Sequence, residues 1–322
     1  MARKKPRLFD PAEYGPRLPK QPRRPDLHLA DDPSEQMRLN RDGAGLVPGR
    51  TDGLPVRLVK PHSAQKAKTV SADLGTVGRA MGNKWFEVHY LELFCGPGYL
   101  YDDANDEEVP GSPLQALGIQ RPFDRYVFSD FSEPCVDALE RRIANLRRAG
   151  ELLPPTHVLH GDANDPAHLD RACSFIDPRA LVIAYLDPAK PNLHWTTVEY
   201  LAKRFRFLDF IINLPFSGIH RSIAVGGDER PRLMLNHPNP RELLAREEGR
   251  TAQNIRDYYD DQLRSLGLIH IARRCVKLQN NSPLYDVVLA SRKDIAVKLF
   301  DKANPVPKPE DEQLDFGFDL PA

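Results

Sequence analysis

Short hydrophobic runs recur along the middle of this chain, and each is followed by a turn and a segment with helical spacing. The first run, residues 90–94, contains one acid, Glu92, and breaks into Gly96-Pro97-Gly98. The predicted strands span 90–94, 125–129, 157–160, 181–186 and 208–212, and the predicted helices span 112–120, 132–149, 166–174 and 195–206. Because strands that alternate with helices favour right-handed crossovers, we expect a doubly wound, mainly parallel α/β sheet of Rossmann-like type.

Further elements are predicted on both sides of this core. Residues 63–88 show helical spacing, and residues 241–266 form a predicted long helix that ends at Gly267. Residues 270–278 and 284–291 predict an antiparallel strand pair at one sheet edge, before a short helix over 294–303. Residues 31–60 are punctuated by glycine and proline, so we expect irregular structure there.

The two ends of the chain differ in composition from its middle. Residues 1–30 hold eight Lys/Arg, three Asp/Glu and six prolines, with few large apolar side chains to offset the entropy of ordering. We expect a basic Pro-rich arm and linker over 1–60, an α/β domain over 61–303 and an acidic tail over 304–322, with both tails disordered. The arm either solubilises the protein or binds the phosphates of a nucleic acid. The tail either folds back or acts as a docking peptide.

The length, composition and net charge of the chain exclude some classes of protein. With 322 residues and 41% hydrophobic content, the chain suits one large globular domain or two small ones. Lys+Arg and Asp+Glu balance at 45 each, so the net charge favours no particular partner. No apolar run is long enough to span a membrane, no signal-peptide core is present, and four scattered cysteines lack zinc-site spacing. We expect a cytoplasmic protein with no membrane partner and no metal.

The loop after the first predicted strand is the leading candidate for a cofactor site. Glycine tolerates positive φ and lets a ligand approach the backbone, so Gly96 and Gly98, with Phe94 before them, are predicted to line it. Asp130 ends the next strand, where an acid accepts hydrogen bonds from ribose hydroxyls. No glycine stands three residues after Gly98, which favours S-adenosylmethionine, a cofactor without phosphates, over a dinucleotide. The alternative is a tight turn in an empty sheet.

Two further acids are placed to hold the ends of that cofactor. Glu92 lies in a run so apolar that its carboxylate needs a partner, which the methionine ammonium would provide. Otherwise Glu92 reaches solvent at the strand end. Asp162, with Ala163 beside it, follows the third strand and is predicted to accept from the adenine amino group. Asp162 is alternatively a helix N-cap, a role that Asn164 or Asp165 would also suit.

The fourth and fifth predicted strands end in residues suited to methyl transfer. Asp187 would accept a hydrogen bond from an amine or hydroxyl nucleophile, and Pro188 would restrict its turn. Asn213 opens Asn213-Leu-Pro215-Phe216, which is similar to the Asn-Pro-Pro-Phe motif of methyltransferases that act on adenine amines. By that similarity Phe216 would stack on an extruded base. Arg221 would bind a phosphate or carboxylate. The alternatives are structural turns and a solvated arginine.

The order of these motifs resembles that of the three-Cys-motif partner proteins (TcmP family) over about residues 60–303. The segments that carry the resemblance are Tyr90–Gly98, Gly111-Ser-Pro113-Leu, Phe128-Ser-Asp130, Gly161–Asn164, Leu186–Pro188, Ile212–Pro215 and Ser282-Pro-Leu-Tyr285 with Leu289-Ala-Ser291. The second and the last of these segments are the more specific. The resemblance implies a class I methyltransferase type of fold, S-adenosylmethionine as cofactor, and a partner with a three-cysteine motif. Cys95 and Ala189-Lys190 depart from the family pattern.

We therefore expect S-adenosylmethionine-dependent methyl transfer, for which nucleic acids and nucleotides are the candidate acceptors. One alternative is a non-catalytic, methyltransferase-like adaptor for a three-Cys-motif protein. Another is an NAD-type oxidoreductase, against which the missing third glycine and the Asp187-Pro188 strand end both count.

Overall fold

The computed structural model describes residues 45–59, 85–102, 104–119, 123–245, 251–277 and 283–303. Its strands are β1 (Leu46–Pro48), β2 (Pro55–Val59), β3 (Val88–Leu93), β4 (Tyr99–Asp102), β5 (Glu107–Pro110), β6 (Arg125–Asp130), β7 (Thr156–His160), β8 (Leu181–Leu186), β9 (Leu208–Leu214), β10 (His270–Lys277) and β11 (Pro283–Ser291). Its helices are α1 (Ser112–Leu117), α2 (Glu133–Arg148), α3 (Pro166–Cys173), α4 (Trp195–Arg204), α5 (Phe216–Ala224), α6 (Glu229–Leu235), α7 (Arg241–Ala245), α8 (Thr251–Ser265) and α9 (Asp294–Ala303).

A seven-stranded sheet in the order β10-β11-β9-β8-β3-β6-β7 forms the centre of the protein. Strands β3, β6, β7, β8 and β9 run parallel, and β11 lies antiparallel between β9 and β10. This arrangement confirms the predicted doubly wound, mainly parallel fold with its C-terminal antiparallel pair. The strand order reverses between β3 and β8, and ligands in such sheets bind in the crevice that opens at this switch point.

The central strands read as continuous apolar runs because helices cover both faces of the sheet. Every residue of β3, β8 and β9 is buried. Residues of α1, α2 and α9 pack on one face, and residues of α3 to α8 pack on the other. Successive side chains alternate between the faces, so Tyr90 packs on the first face while Leu91 and Leu93 pack on the second.

A second sheet, in the order β1-β2-β4-β5, lies beside α2 and the glycine loop. Strand β2 pairs in parallel with β4, the strand that follows Gly98. Arg142 of α2 holds the two parts together: it donates to both carboxylate oxygens of Asp52 at 2.8 Å and to the Pro97 carbonyl at 2.6 Å. The expectation of irregular structure over 31–60 is therefore wrong for β1 and β2.

Other elements differ from prediction at their boundaries. Of the helix predicted over 63–88, residues 63–84 lie outside the described part of the chain. The predicted C-terminal end of this helix is wrong, because Val88 already belongs to β3 and pairs with Leu181. The helix predicted over 241–266 is seen as α7 and α8, with residues 246–250 between them outside the described part. Gly267 ends α8 with a φ of +80°, as predicted. Helices α5 and α6 were not predicted.

The tails and most of the linker, residues 1–44 and 304–322, lie outside the described residues, so their proposed roles stay predictions. Of the helices that the structure describes, none has the length and apolar content to cross a bilayer. Within the same residues, no group of three or more His, Cys, Asp or Glu side chains is placed to hold a metal ion.

Candidate functional site

The glycine loop lies at the switch point and has the backbone conformation that its sequence predicts. Phe94, Gly96 and Gly98 have φ of 68°, 68° and 97°. The first of these is unfavourable for a non-glycine residue, and such backbone strain is concentrated at functional sites. The backbone therefore favours glycine at position 98, and the space is tight as well, because a Cβ there would lie 3.0 Å from the end of the Leu139 side chain.

Asp130, at the end of β6, holds this loop in place. Its carboxylate accepts the N–H of Gly96 at 2.7 Å and the N–H of Ser132 at 2.9 Å, and its side chain is nearly buried. A carboxylate has about four acceptor sites, so these two bonds leave capacity for further donors such as ribose hydroxyls. Asp130 thus shapes the glycine loop as well as lying where a ribose acceptor is expected.

Glu92 of β3 is fully buried, so its alternative interpretation as a solvent-reaching carboxylate is wrong. The hydroxyl groups of Tyr90 and Ser112 donate to its two oxygens at 3.0 and 2.5 Å. Burial raises the pKa of Glu92 to about 8 against the effect of these hydrogen bonds, and the charges of Asp187 and Asp130 add to the rise. Glu92 therefore carries a proton at neutral pH unless a cation lies beside it.

Asp187 and Asn213 meet where β8 and β9 end. Asp187 accepts from the Tyr185 hydroxyl at 2.9 Å and from the Asn213 side-chain amide, also at 2.9 Å. The same amide is 3.4 Å from the Pro188 carbonyl. Because a carboxylate only accepts, the amide nitrogen faces it and leaves the Asn213 Oδ1 atom on the other side. That oxygen is buried and has no hydrogen-bond partner among the described residues.

Asp162 and Ala163 lie in the loop between β7 and α3. The N-cap of α3 is Asp165, which accepts from the N–H groups of Ala167 and His168. Asp162 is exposed and accepts from the N–H of Asn164 at 2.8 Å, so it is not the helix cap. Ala163 is buried, and its carbonyl accepts from the Thr197 hydroxyl at 3.1 Å, which fixes this loop against α4.

Phe216 and Arg221 are not brought to this group of acids. Phe216 is 4% exposed within the core, and the Arg256 guanidinium lies 4.8 Å from the centre of its ring. Stacking on an extruded base does not fit this conformation, because the ring is covered. Arg221 is exposed and donates to the Ser217 carbonyl of its own helix at 3.1 Å, as the solvated alternative expects.

Two further residues, which the sequence patterns do not single out, lie at this edge of the sheet. Arg57 of β2 has its guanidinium 3.7 Å from the place that a Cβ on Gly96 would take, and 3.8 Å from the Asp130 carboxylate. Phe131 directly follows Asp130 and is 58% exposed. The sequence does not predict a role for Arg57, because irregular structure is expected over its segment. Phe131 could have been predicted, since it is an apolar residue directly after an acid at the end of a strand.

No family model matches this chain, and no curated protein matches it. Among solved structures, an O-methyltransferase from Bacillus cereus in complex with SAH has 16% identity and a TM-score of 0.39, over 71% of this chain and 86% of that one. The O-methyltransferase TomG from Streptomyces achromogenes, in complex with SAM, has 14% identity and a TM-score of 0.37, over 72% and 90%.

The CMeT domain of the citrinin polyketide synthase has 13% identity and a TM-score of 0.38, over 65% of this chain and 47% of that one. The matched part thus spans about half the length of that structure. At such identities and TM-scores, these likenesses support no conclusion about the activity of this chain, which has to be inferred from its own residues.

Proposed function

We propose that this chain is an S-adenosylmethionine-dependent methyltransferase that acts on an amine or hydroxyl. The observation that carries the proposal is the convergence of Glu92, Asp130 and Asp187, from three neighbouring strands, around a glycine loop at the switch point. Arg57 is the cation that lies beside Asp130 among the described residues. A ligand with both a sulfonium and an ammonium group complements such an acidic edge.

The cofactor-binding roles follow from the environment of each residue. Glu92 would hold the ammonium, for which its buried carboxylate would give up its proton. Asp130 would accept from the ribose hydroxyls above Gly96. Asp162 would accept a hydrogen bond from the adenine amino group. The exposed ring of Phe131 would stack on one face of the adenine.

Asp187, Pro188 and Asn213 would form the transfer site. When bound, S-adenosylmethionine supplies the methyl group and is left as a neutral thioether. The unpartnered Asn213 Oδ1 atom would accept a hydrogen bond from the amine or hydroxyl that is methylated. Asp187, fixed by Tyr185 and Asn213, would then accept the proton that this group loses.

We further propose that the chain is a TcmP-like protein, and two residues of the segments that carry this resemblance belong to the same site. Ser112, from the specific Gly-Ser-Pro-Leu segment, donates to Glu92. Burial and the charge of Asp187 raise the pKa of Tyr285, from the second specific segment, which is consistent with a place near the transfer site. A nucleic acid or nucleotide as acceptor, contacts through the N-terminal arm and a three-Cys-motif partner are part of this proposal.

Calorimetry with S-adenosylhomocysteine tests the proposal. We expect the full chain to bind it, and Glu92→Gln to weaken binding about 10- to 100-fold, because a charge-assisted hydrogen bond to the ammonium is lost. Asp209→Asn is a matched control, since Asp209 is a buried acid at the opposite end of β9. Unchanged binding in that control is expected. No binding by the wild-type chain at millimolar ligand would contradict the proposal and favour the adaptor alternative.

A further inference from the structure

Among the residues that the structure describes, the Arg57 guanidinium beside the glycine loop has only long polar contacts. Its Nη2 atom lies 3.8 Å from Asp130 and 3.9 Å from the Cys135 sulfur, which are long contacts for a guanidinium. Its Nε atom is buried and has no acceptor among the described residues. A guanidinium presents five N–H donors in a fixed fork, and within the described part of the chain this one has no planar acceptor at hydrogen-bond distance.

The position of Arg57 is fixed by the smaller sheet rather than by the glycine loop itself. Arg57 pairs with Leu100 across β2 and β4, two residues beyond Gly98. Arg142 binds Asp52 and the Pro55 carbonyl on one side, and the Pro97 carbonyl on the other. These contacts hold β2 against the loop and place the guanidinium 3.7 Å from the position that a Cβ on Gly96 would take.

We propose that Arg57 binds the carboxylate of the cofactor's amino-acid group, opposite Glu92, which binds the ammonium. A carboxylate accepts two parallel N–H bonds from a guanidinium, which matches the spare donors of Arg57. The two residues together would recognise an α-amino acid by its two charges. The inference rests on the proposed function, because it assigns one end of the same ligand.

Three ligands separate the parts of this recognition. S-adenosylhomocysteine has the ammonium and the carboxylate, decarboxylated S-adenosylmethionine has the ammonium alone, and 5′-methylthioadenosine has neither. In Arg57→Gln we expect the Kd for S-adenosylhomocysteine to rise about 10- to 100-fold, as for the loss of a charge-assisted bidentate pair. The affinities of the other two ligands should change by less than about threefold, since neither ligand has a carboxylate to lose its partner.

Arg50→Gln is the matched control, because Arg50 belongs to the same region but its guanidinium pairs with Asp106 at 2.8 Å and with the Tyr101 hydroxyl at 3.2 Å. We expect this variant to bind all three ligands like the wild type, and circular dichroism would verify that both variants fold. Arg57→Lys should recover part of the lost affinity, because it keeps the charge without the fork.

The outcomes separate this inference from the proposed function. If the wild-type chain binds none of the three ligands, the proposed function itself fails. If it binds S-adenosylhomocysteine and Arg57→Gln binds it equally well, only the role of Arg57 is overturned. An equal loss for all three ligands would show that Arg57 merely supports the loop through Asp130, which also overturns the inference.

Discussion

Replacing Glu92 with Gln should change how the stability of the protein depends on pH. Gln has the same shape but cannot ionise. Its amide oxygen can accept from one of the two hydroxyl groups, of Tyr90 or Ser112, while its amide nitrogen donates to the oxygen of the other. In the wild type, burial raises the pKa of Glu92 from 4.5 to about 8. The folded protein thus binds this proton more tightly than the unfolded chain does.

The sign and size of the effect follow from this difference in pKa. The stabilisation from the proton is fully present below pH 4.5 and is lost as the pH rises through 8. Because one unit of pKa corresponds to about 1.4 kcal/mol, the folded state would lose at most about 5 kcal/mol over this window. Glu92→Gln lacks this loss, so its stability relative to the wild type should rise with pH.

Urea unfolding at several pH values between 4 and 9 measures the difference between the two proteins. Between pH 5 and 7.5 the free energy of unfolding of the wild type should fall relative to Glu92→Gln by about 1.4 kcal/mol per pH unit. Asp209→Asn is again the control: burial raises the pKa of Asp209 to about 6, so its difference curve should level off near that pH. A flat Glu92→Gln difference curve across pH 5–8 would refute the buried, protonated carboxylate.

Two further substitutions probe the adenine end of the site. Phe131→Ala should raise the Kd for S-adenosylhomocysteine and for 5′-methylthioadenosine alike, by about 10-fold, because both ligands lose the stacking face; calorimetry showing a loss for one ligand alone would contradict stacking. Gly161→Ala places a Cβ 2.1 Å from the His168 ring, which the Ser129 hydroxyl holds at 2.7 Å. It should lower the free energy of unfolding by about 1–3 kcal/mol, measured by urea unfolding, and an unchanged value would show that His168 can move aside.

The sequence was sufficient to predict the large sheet because its strands are encoded locally. β8 and β9 are unbroken apolar runs, and the helices between strands carry apolar residues at helical spacing. The order of strand-end acids then predicted that Glu92, Asp130 and Asp187 would share one edge, since parallel strands bring their carboxyl ends together.

The smaller sheet could not be predicted in the same way. β1 has three residues and β2 has five, so their antiparallel pairing is too short to leave a clear pattern. The second partner of β2, strand β4, comes only after the chain has passed through β3 and the glycine loop. Pairing over such a distance leaves no periodic signal in the local sequence, so Arg57 was missed with its strand. The base-stacking role predicted for Phe216 does not fit the structure. The local motif resembles a base clamp, but the Arg256 guanidinium that covers the Phe216 ring comes from α8, which is distant in the sequence.

A crystal structure of the full chain grown with S-adenosylhomocysteine is the sharpest check on the proposed cofactor site. We expect adenosine over Gly96, the ribose hydroxyls on the Asp130 carboxylate and the ammonium on Glu92. Ligand bound away from the β3–β8 switch point, or a glycine loop filled by protein side chains in crystals that contain millimolar ligand, would contradict this expectation.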